Sequence, residues 1–527
     1  LHRDLFFAGN CLAENPKGLR SVDGELVQEI LERLVDLEVS SEDKVSEKIR
    51  EQIFQIFCSL YETDFEAEVL EMLKKRADLI DEERLLKYRA ELGEKDEVIA
   101  ILLARLKDEN SNVRRSSAEA LGNLGNGSET VINSLLPLFQ DENSIVRGIA
   151  VYALGNLGNS SETVINSLLP LLQDENSDVR RSSAEALGKL GNSSETVINS
   201  LLPLLQDENS IVRGIAVYAL GKLGNSSETV INSLLPLLQD ENSIVRGIAV
   251  YALGKLGNSS ETVINSLLPL LQDENSIVRG IAVYALGNLG NSSETVINSL
   301  LPLLQDENSD VRRIAVYALG KLGNSSETVI NSLLPLLQDE NSDVRRIAVY
   351  ALGKLGNSSE TVINSLLPLL QDENSDVRRI AVYALGKLGN SSETVINSLL
   401  PLLQDENSIV RRIAVYALGK LGNSSETVIN SLLPLLQDEN SIVRRIAVYA
   451  LGKLGNSSET VINSLLPLLQ DENSDVRRSA ADALGKLGKK SNNILPTIIQ
   501  WIQQHQDSEY VGSSIDALWY VVVGEEN

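Results

Sequence analysis

Side chains able to make or break bonds are scarce in this sequence. Its 527 residues include two histidines, His2 and His505, at opposite ends, and two cysteines, Cys11 and Cys58, in a non-repetitive first stretch. No grouping of His, Cys and carboxylates has metal-ligand spacing. A nucleophilic triad needs a base beside its nucleophile, and residues 96–488 contain no histidine. The string from Gly353 to Ser359, Gly-Lys-Leu-Gly-Asn-Ser-Ser, superficially suggests a phosphate loop. It recurs as the end of one helix followed by the start of the next, which explains it, and no GxxxxGK[ST] sequence is present. Asn324-Ser325-Ser326 and its counterparts match a glycosylation sequon, but without a secretion signal they are simplest as capping turns. Pairs such as Asp339 and Glu340 line one edge with acids, either solvated and paired with arginine or, as the alternative, forming a cation-binding ridge. The expectation is a chain with no catalytic residues, no metal and no cofactor.

The elements that carry these residues come from one 33-residue unit. Close copies begin at Asn126, Asn159, Asn192, Asn225, Asn258, Asn291, Asn324, Asn357, Asn390, Asn423 and Asn456, with a diverged unit on either side. Repetition at such a period signals a stacked repeat architecture. In the copy 324–356, Ser325 and Ser326 stand where a first helix needs a cap. Val329, Ile330, Leu333, Leu334, Leu336 and Leu337 make that helix apolar around most of its girth, and Pro335 inside it predicts a kink. Gln338 to Asn341 form a polar turn, and Ser342 is expected to cap a second helix. There Val344, Ile347, Ala348, Ala351, Leu352 and Leu355 fall on one stripe of period 3.6, ended by Gly356 in a left-handed conformation. Such a hairpin cannot bury its own apolar surface, so the fold class expected is all-α, an α-solenoid of about thirteen hairpins.

Composition agrees. Hydrophobic residues are 43% and aromatics 4%, so the core must be aliphatic. No apolar stretch reaches the about 18 residues of a membrane span. The net charge of −26 argues against sequence-independent nucleic-acid binding. Two distant cysteines and the absence of a visible signal peptide point to a cytoplasmic protein. The chain opens on Leu1, as a piece of a longer polypeptide would.

The string from Asp343 to Gly356, Asp-Val-Arg-Arg-Ile-Ala-Val-Tyr-Ala-Leu-Gly-Lys-Leu-Gly, resembles the HEAT-like repeat, also known from phycobilin lyases, across residues 96–523. The resemblance implies a ladder between the turn aspartate and the second-helix arginine, here Asp339 and Arg345, with Asp372 and Arg378 as equivalents. Residues 1–95 fall outside the array and are expected to form a helical cap or linking domain. Amphipathic spacing there covers Leu26–Leu37 (Leu26, Ile30, Leu34, Leu37), Ile49–Leu60, 65–76 and 79–92. The opening fourteen residues resemble the segment that joins bacterial NACHT-type NTPases to their C-terminal repeats, which implies an oligomeric assembly. Residues 489–527, with Trp501, Trp519 and Val521–Val523, are expected to cap the last open face.

Differences among the copies locate a partner surface. On the second helix, Asp343, Arg346, Val349, Tyr350 and Gly353 are expected to point away from the stripe. The first position is Asp310, Asp343 or Asp376 in some copies and Ile145, Ile211, Ile244, Ile277, Ile409 or Ile442 in others. The second is Arg313, Arg346, Arg379, Arg412 and Arg445, or Gly148, Gly214, Gly247 and Gly280. The third is Tyr152, Tyr218, Tyr251, Tyr284, Tyr317, Tyr350, Tyr383, Tyr416 and Tyr449, replaced by Glu119 and Glu185 in two copies. A site that accepts glutamate reaches water, so the tyrosines should be partly exposed. HEAT-type stacks place second helices on the concave surface, which implies a groove with an apolar stretch and then a basic-aromatic one. The alternative is that each tyrosine packs flat on the adjacent repeat. The expected function is a non-catalytic scaffold or sensing arm for a protein or peptide, as part of a NACHT-like NTPase. The repeat family implies a second reading, a bilin lyase or pigment chaperone. An expanded or designed array with no selected ligand is a third.

Overall fold

The computed structural model describes residues 3–14, 16–40, 45–489 and 494–523, so Leu1 and His2 lie outside the described residues. Helices are the only regular structure among these residues, and none is long and apolar enough to cross a membrane. The chain divides into two compact units, Leu1–Leu237 and Leu238–Asn527.

One hairpin of the second unit shows why the sequence folds this way. Asn324 Oδ1 accepts the Ser326 N–H at 2.9 Å, and Ser326 Oγ accepts the Val329 N–H, capping the first helix, Glu327–Leu333. From Leu334 to Gln338 the winding tightens to a 3₁₀ helix. Pro335 is the reason: it has no N–H for the carbonyl four residues back, and the expected kink becomes a change of helix type. The second helix, Ser342–Leu355, is capped by Asn341, not Ser342, with Oδ1 accepting the Asp343 N–H at 2.9 Å. Ser342 begins the helix, and its hydroxyl accepts a hydrogen bond from Asn374 of the next repeat. Gly356, at φ +74°, ends the helix as expected.

Packing corrects the outward list. Val349 and Gly353, expected to face away, are buried. Each second helix is flanked by its own first helix and by the second helices on both sides, so its buried arc is wider than one stripe. A Cβ on Gly353 would stand 2.9 Å from that of Ala384, which lets the two helix backbones come close. Asp343 and Tyr350 remain exposed, with Arg346 half-buried between them.

In the first unit, helices Arg3–Glu14, Gly24–Glu38, Glu47–Cys58, Glu66–Lys74 and Glu82–Glu91 surround a core that includes Leu31, Leu34, Phe57, Phe65 and Leu73. Leu26, placed on the apolar stripe from sequence, is exposed, and Val27 takes the inward position. Glu38 is fully buried because Arg84 pairs with it. At the far end of the second unit, helices Ile494–Gln504 and Val511–Val522 form a hairpin. Tyr520 stands over Gly485 and Val521 over Gly488, while Ile515, Trp519 and Val522 stay exposed.

Candidate interaction face

A charged ladder holds the face in place. Arg345 donates through Nε to Asp372 Oδ2 at 2.7 Å and through Nη2 to Oδ1 at 2.9 Å, while Nη1 reaches the carbonyls of Asp339 and Glu340. The arginine therefore ties its own turn through the backbone and the next turn through the carboxylate. The carboxylate of Asp339 goes to Arg312 of the preceding repeat. The same bidentate pairing joins Arg114 to Asp141, Arg147 to Asp174 and Arg180 to Asp207 in the first unit. In the second it runs from Arg246–Asp273 to Arg444–Asp471. The Arg345 side chain is only 10% exposed. Burial pushes the Asp372 carboxyl up, but the Arg345 hydrogen bonds, the Asn374 N–H and the nearby arginines outweigh it, leaving the group below its ordinary range.

With that arginine turned inward, the side chains left on the surface of the second helix are those at positions 343, 346, 350 and 354. The nine tyrosines are 42–47% exposed, as the glutamate replacements suggested. Arg313, Arg346 and Arg379 each reach the aspartate three residues earlier, at 3.1, 2.9 and 3.1 Å. Arg412 and Arg445 stand after Ile409 and Ile442 instead, and have no ion pair among the described residues. Where glycine replaces arginine the face opens. In the second unit, Ile244 and Ile277 are 70% and 69% exposed, and a trough of about 390 Å³ is lined by Tyr251, Ile277, Gly280, Tyr284, Arg313 and Ile314. In the first unit, a wider recess of about 510 Å³ is lined by Ile145, Gly148, Tyr152, Arg181, Glu185 and Lys189. There the Lys189 ammonium lies 5.7 Å from the Tyr152 ring centre.

Two features of the face stand beside the differences named from the sequence, one at a fourth position and one at the third. Lys321, Lys354, Lys387, Lys420 and Lys453 form a third exposed row one turn beyond the tyrosines. Asp482 occupies the tyrosine position in the copy that begins at Asn456. The lysine row was legible in the four-residue spacing Arg346, Tyr350, Lys354.

Among the described residues no cluster of three or more His, Cys, Asp or Glu side chains is arranged to hold a metal. Cys58 is half-buried, and burial, with Glu91 and Glu51 nearby, pushes its thiol up to about 12. His505 stacks on Trp501 with ring centres 3.9 Å apart.

HEAT repeats are recognised in nine overlapping windows that run from residues 66–155 to 429–519. The chain belongs to the HEAT-repeat family. The first HEAT window begins inside the stretch that sequence periodicity set apart as 1–95, and so takes in the helices Glu66–Lys74 and Glu82–Glu91. No curated protein matches the sequence. Among solved structures, one describing how Kap95p binding induces the switch loops of RanGDP to adopt the GTP-bound conformation contains a similar chain. The TM-score is 0.61 at 13% identity, covering 98% of this chain and 88% of that one. Importin beta, crystallised with ammonium sulfate, is similar at a TM-score of 0.50 and 17% identity, covering 97% of this chain and 72% of that one. At these identities the likeness concerns the HEAT fold.

Proposed function

We propose that this HEAT-repeat chain is a non-catalytic scaffold that binds a protein or peptide across the second-helix face bearing the tyrosines and arginines. One observation carries the reading: repeats that are otherwise near-identical hold a large aromatic ring half in solvent at the same place nine times. An exposed tyrosine on a packed helix offers wide contact area and a polar tip with few rotamers to freeze, which suits an interface. The Arg–Asp ladder beneath keeps neighbouring rings in register. In the structurally similar complex, Kap95p binds RanGDP, so a fold of this kind presents a protein-binding surface there. A finer reading makes the chain the sensing arm of an oligomeric NACHT-type NTPase. Its support is the likeness of residues 1–14.

The test is affinity capture from cell extract with the full chain and with a variant carrying serine at Tyr251, Tyr284, Tyr317 and Tyr350. A protein retained by the parent and lost from the variant, with helix content unchanged by circular dichroism, is the expected result. Identical captured sets would remove the face from the function.

A further inference from the structure

In a chain of net charge −26, positive charge gathers on one face of the second unit. The helices Ser408–Leu421 and Ser441–Leu454 each present an arginine, a tyrosine and a lysine four positions apart: Arg412, Tyr416 and Lys420, then Arg445, Tyr449 and Lys453. Residues at that spacing share one side of a helix. The tyrosines and lysines are exposed and the arginines half-buried among them.

What sets these two helices apart is the residue at the start. Arg313, Arg346 and Arg379 are neutralised by Asp310, Asp343 and Asp376. At 409 and 442 isoleucine takes that place, and it is exposed. The carboxylates of the adjoining turns are engaged elsewhere: Asp405 and Glu406 face Arg378, and Asp438 and Glu439 face Arg411. On the next helix, Ser474–Gly488, acids return as Asp475 and Asp482, paired with Arg478 and Lys486. Asp376 on the helix before is held by Arg379, so Arg412, Lys420, Arg445 and Lys453 form a patch of four positive groups with no carboxylate on the exposed face of either of their own helices.

We propose that this patch receives an acidic, extended peptide segment of the partner, with carboxylates on Arg412 and Arg445 and apolar side chains against Ile409, Ile442 and the two tyrosines. The inference rests on the protein-binding reading and gives it a chemistry and a place. Packed helices lie about 8–10 Å apart, and an extended chain in the polyproline II conformation repeats every three residues at about 3.1 Å each, so acids three positions apart share one side and match successive arginines. The exposed isoleucines favour a peptide over a nucleic acid, and so does the overall charge, which repels a long polyanion before contact.

The experiment uses the full chain and a fluorescein-labelled probe of about twelve residues, with aspartates three apart among leucines and alanines. Its controls are the same peptide with lysine for aspartate and a single-stranded thymidine oligonucleotide. The acidic probe should bind, the lysine probe should not, and affinity should fall about tenfold between low and physiological salt. Ile409→Asp with Ile442→Asp gives both helices the sequence of Ser309–Leu322, so folding is preserved, and should weaken the probe about tenfold or more. Undiminished binding by that variant, no binding of the acidic probe, or tighter binding of the oligonucleotide would each overturn the inference. In capture from extract, loss with Tyr416→Ser and Tyr449→Ser but not with the two aspartates would sink the acidic segment and leave the scaffold standing. No effect of either change on capture, nor of the four serines at Tyr251, Tyr284, Tyr317 and Tyr350, would sink both.

Discussion

The guanidinium of Arg345 closes on the carboxylate of Asp372, 27 positions further along the chain, through two parallel hydrogen bonds of 2.7 and 2.9 Å. The same side chain donates to the carbonyls of Asp339 and Glu340, so one residue satisfies a turn of its own repeat and fixes the turn of the next.

Replacing Arg345 by alanine strands a buried carboxylate and two carbonyls and should cost about 2–4 kcal/mol. Lysine should not rescue it, because a single ammonium cannot reproduce the planar fork. Since repeat energies are nearly local, the effect should concentrate in residues 324–388. Hydrogen exchange on the variant checks this, and unchanged protection of those amides would contradict it.

The ladder also sets the response to acid. The carboxyls of Asp141, Asp174, Asp273, Asp306, Asp339, Asp372 and Asp405 lie below their ordinary range, because arginine hydrogen bonds outweigh burial. A group whose folded pKa is depressed contributes fully above its unfolded value and loses that contribution as pH falls through the folded one. Melting temperature should therefore be nearly flat above about pH 5 and fall steadily below about pH 4. Asp372→Asn together with Asp405→Asn should lower stability at neutral pH and flatten the acid limb. A melting series against pH measures both.

Gly353 and Gly356 are both glycine for different reasons, and alanine should separate them. At Gly353 the new Cβ meets the Ala384 Cβ at 2.9 Å and Cα at 3.3 Å, so the helices must part, at about 1–3 kcal/mol. At Gly356 nothing lies within 4 Å, and the cost is the left-handed backbone alone, about 1 kcal/mol. Urea titration of Gly353→Ala should show the larger loss, and a neutral result there would disprove the close-approach account.

Tyr350→Ala should change stability by less than about 1 kcal/mol, because much of the ring is in water. A loss above about 2 kcal/mol in the same urea titration would assign the tyrosines to stacking between repeats instead of to a partner.

Much of this was legible in one copy of the repeat. Ser326 and Gly356 announce the two ends of a hairpin, and Glu119 and Glu185 reveal that the tyrosine position reaches water. The diverged helices Glu66–Lys74 and Glu82–Glu91 were found as helices but not as HEAT repeats, because their sequences no longer keep the period. Asn341 displaced Ser342 as the cap because two good capping residues stand side by side, and only the entry angle of the chain chooses between them.

The alternation of apolar and capping residues by itself determined that the chain forms helical hairpins that must cover one another, since each leaves more greasy surface than it can hide. Tertiary structure decided which residues meet. Arg345 finds Asp372, Val349 and Gly353 turn inward, and Arg412 is left without a carboxylate where Arg346 has one. The physical reason is that the hydrophobic pattern specifies a face, whereas partners across the repeat boundary depend on the distance and rotation between stacked helices, which no single copy encodes.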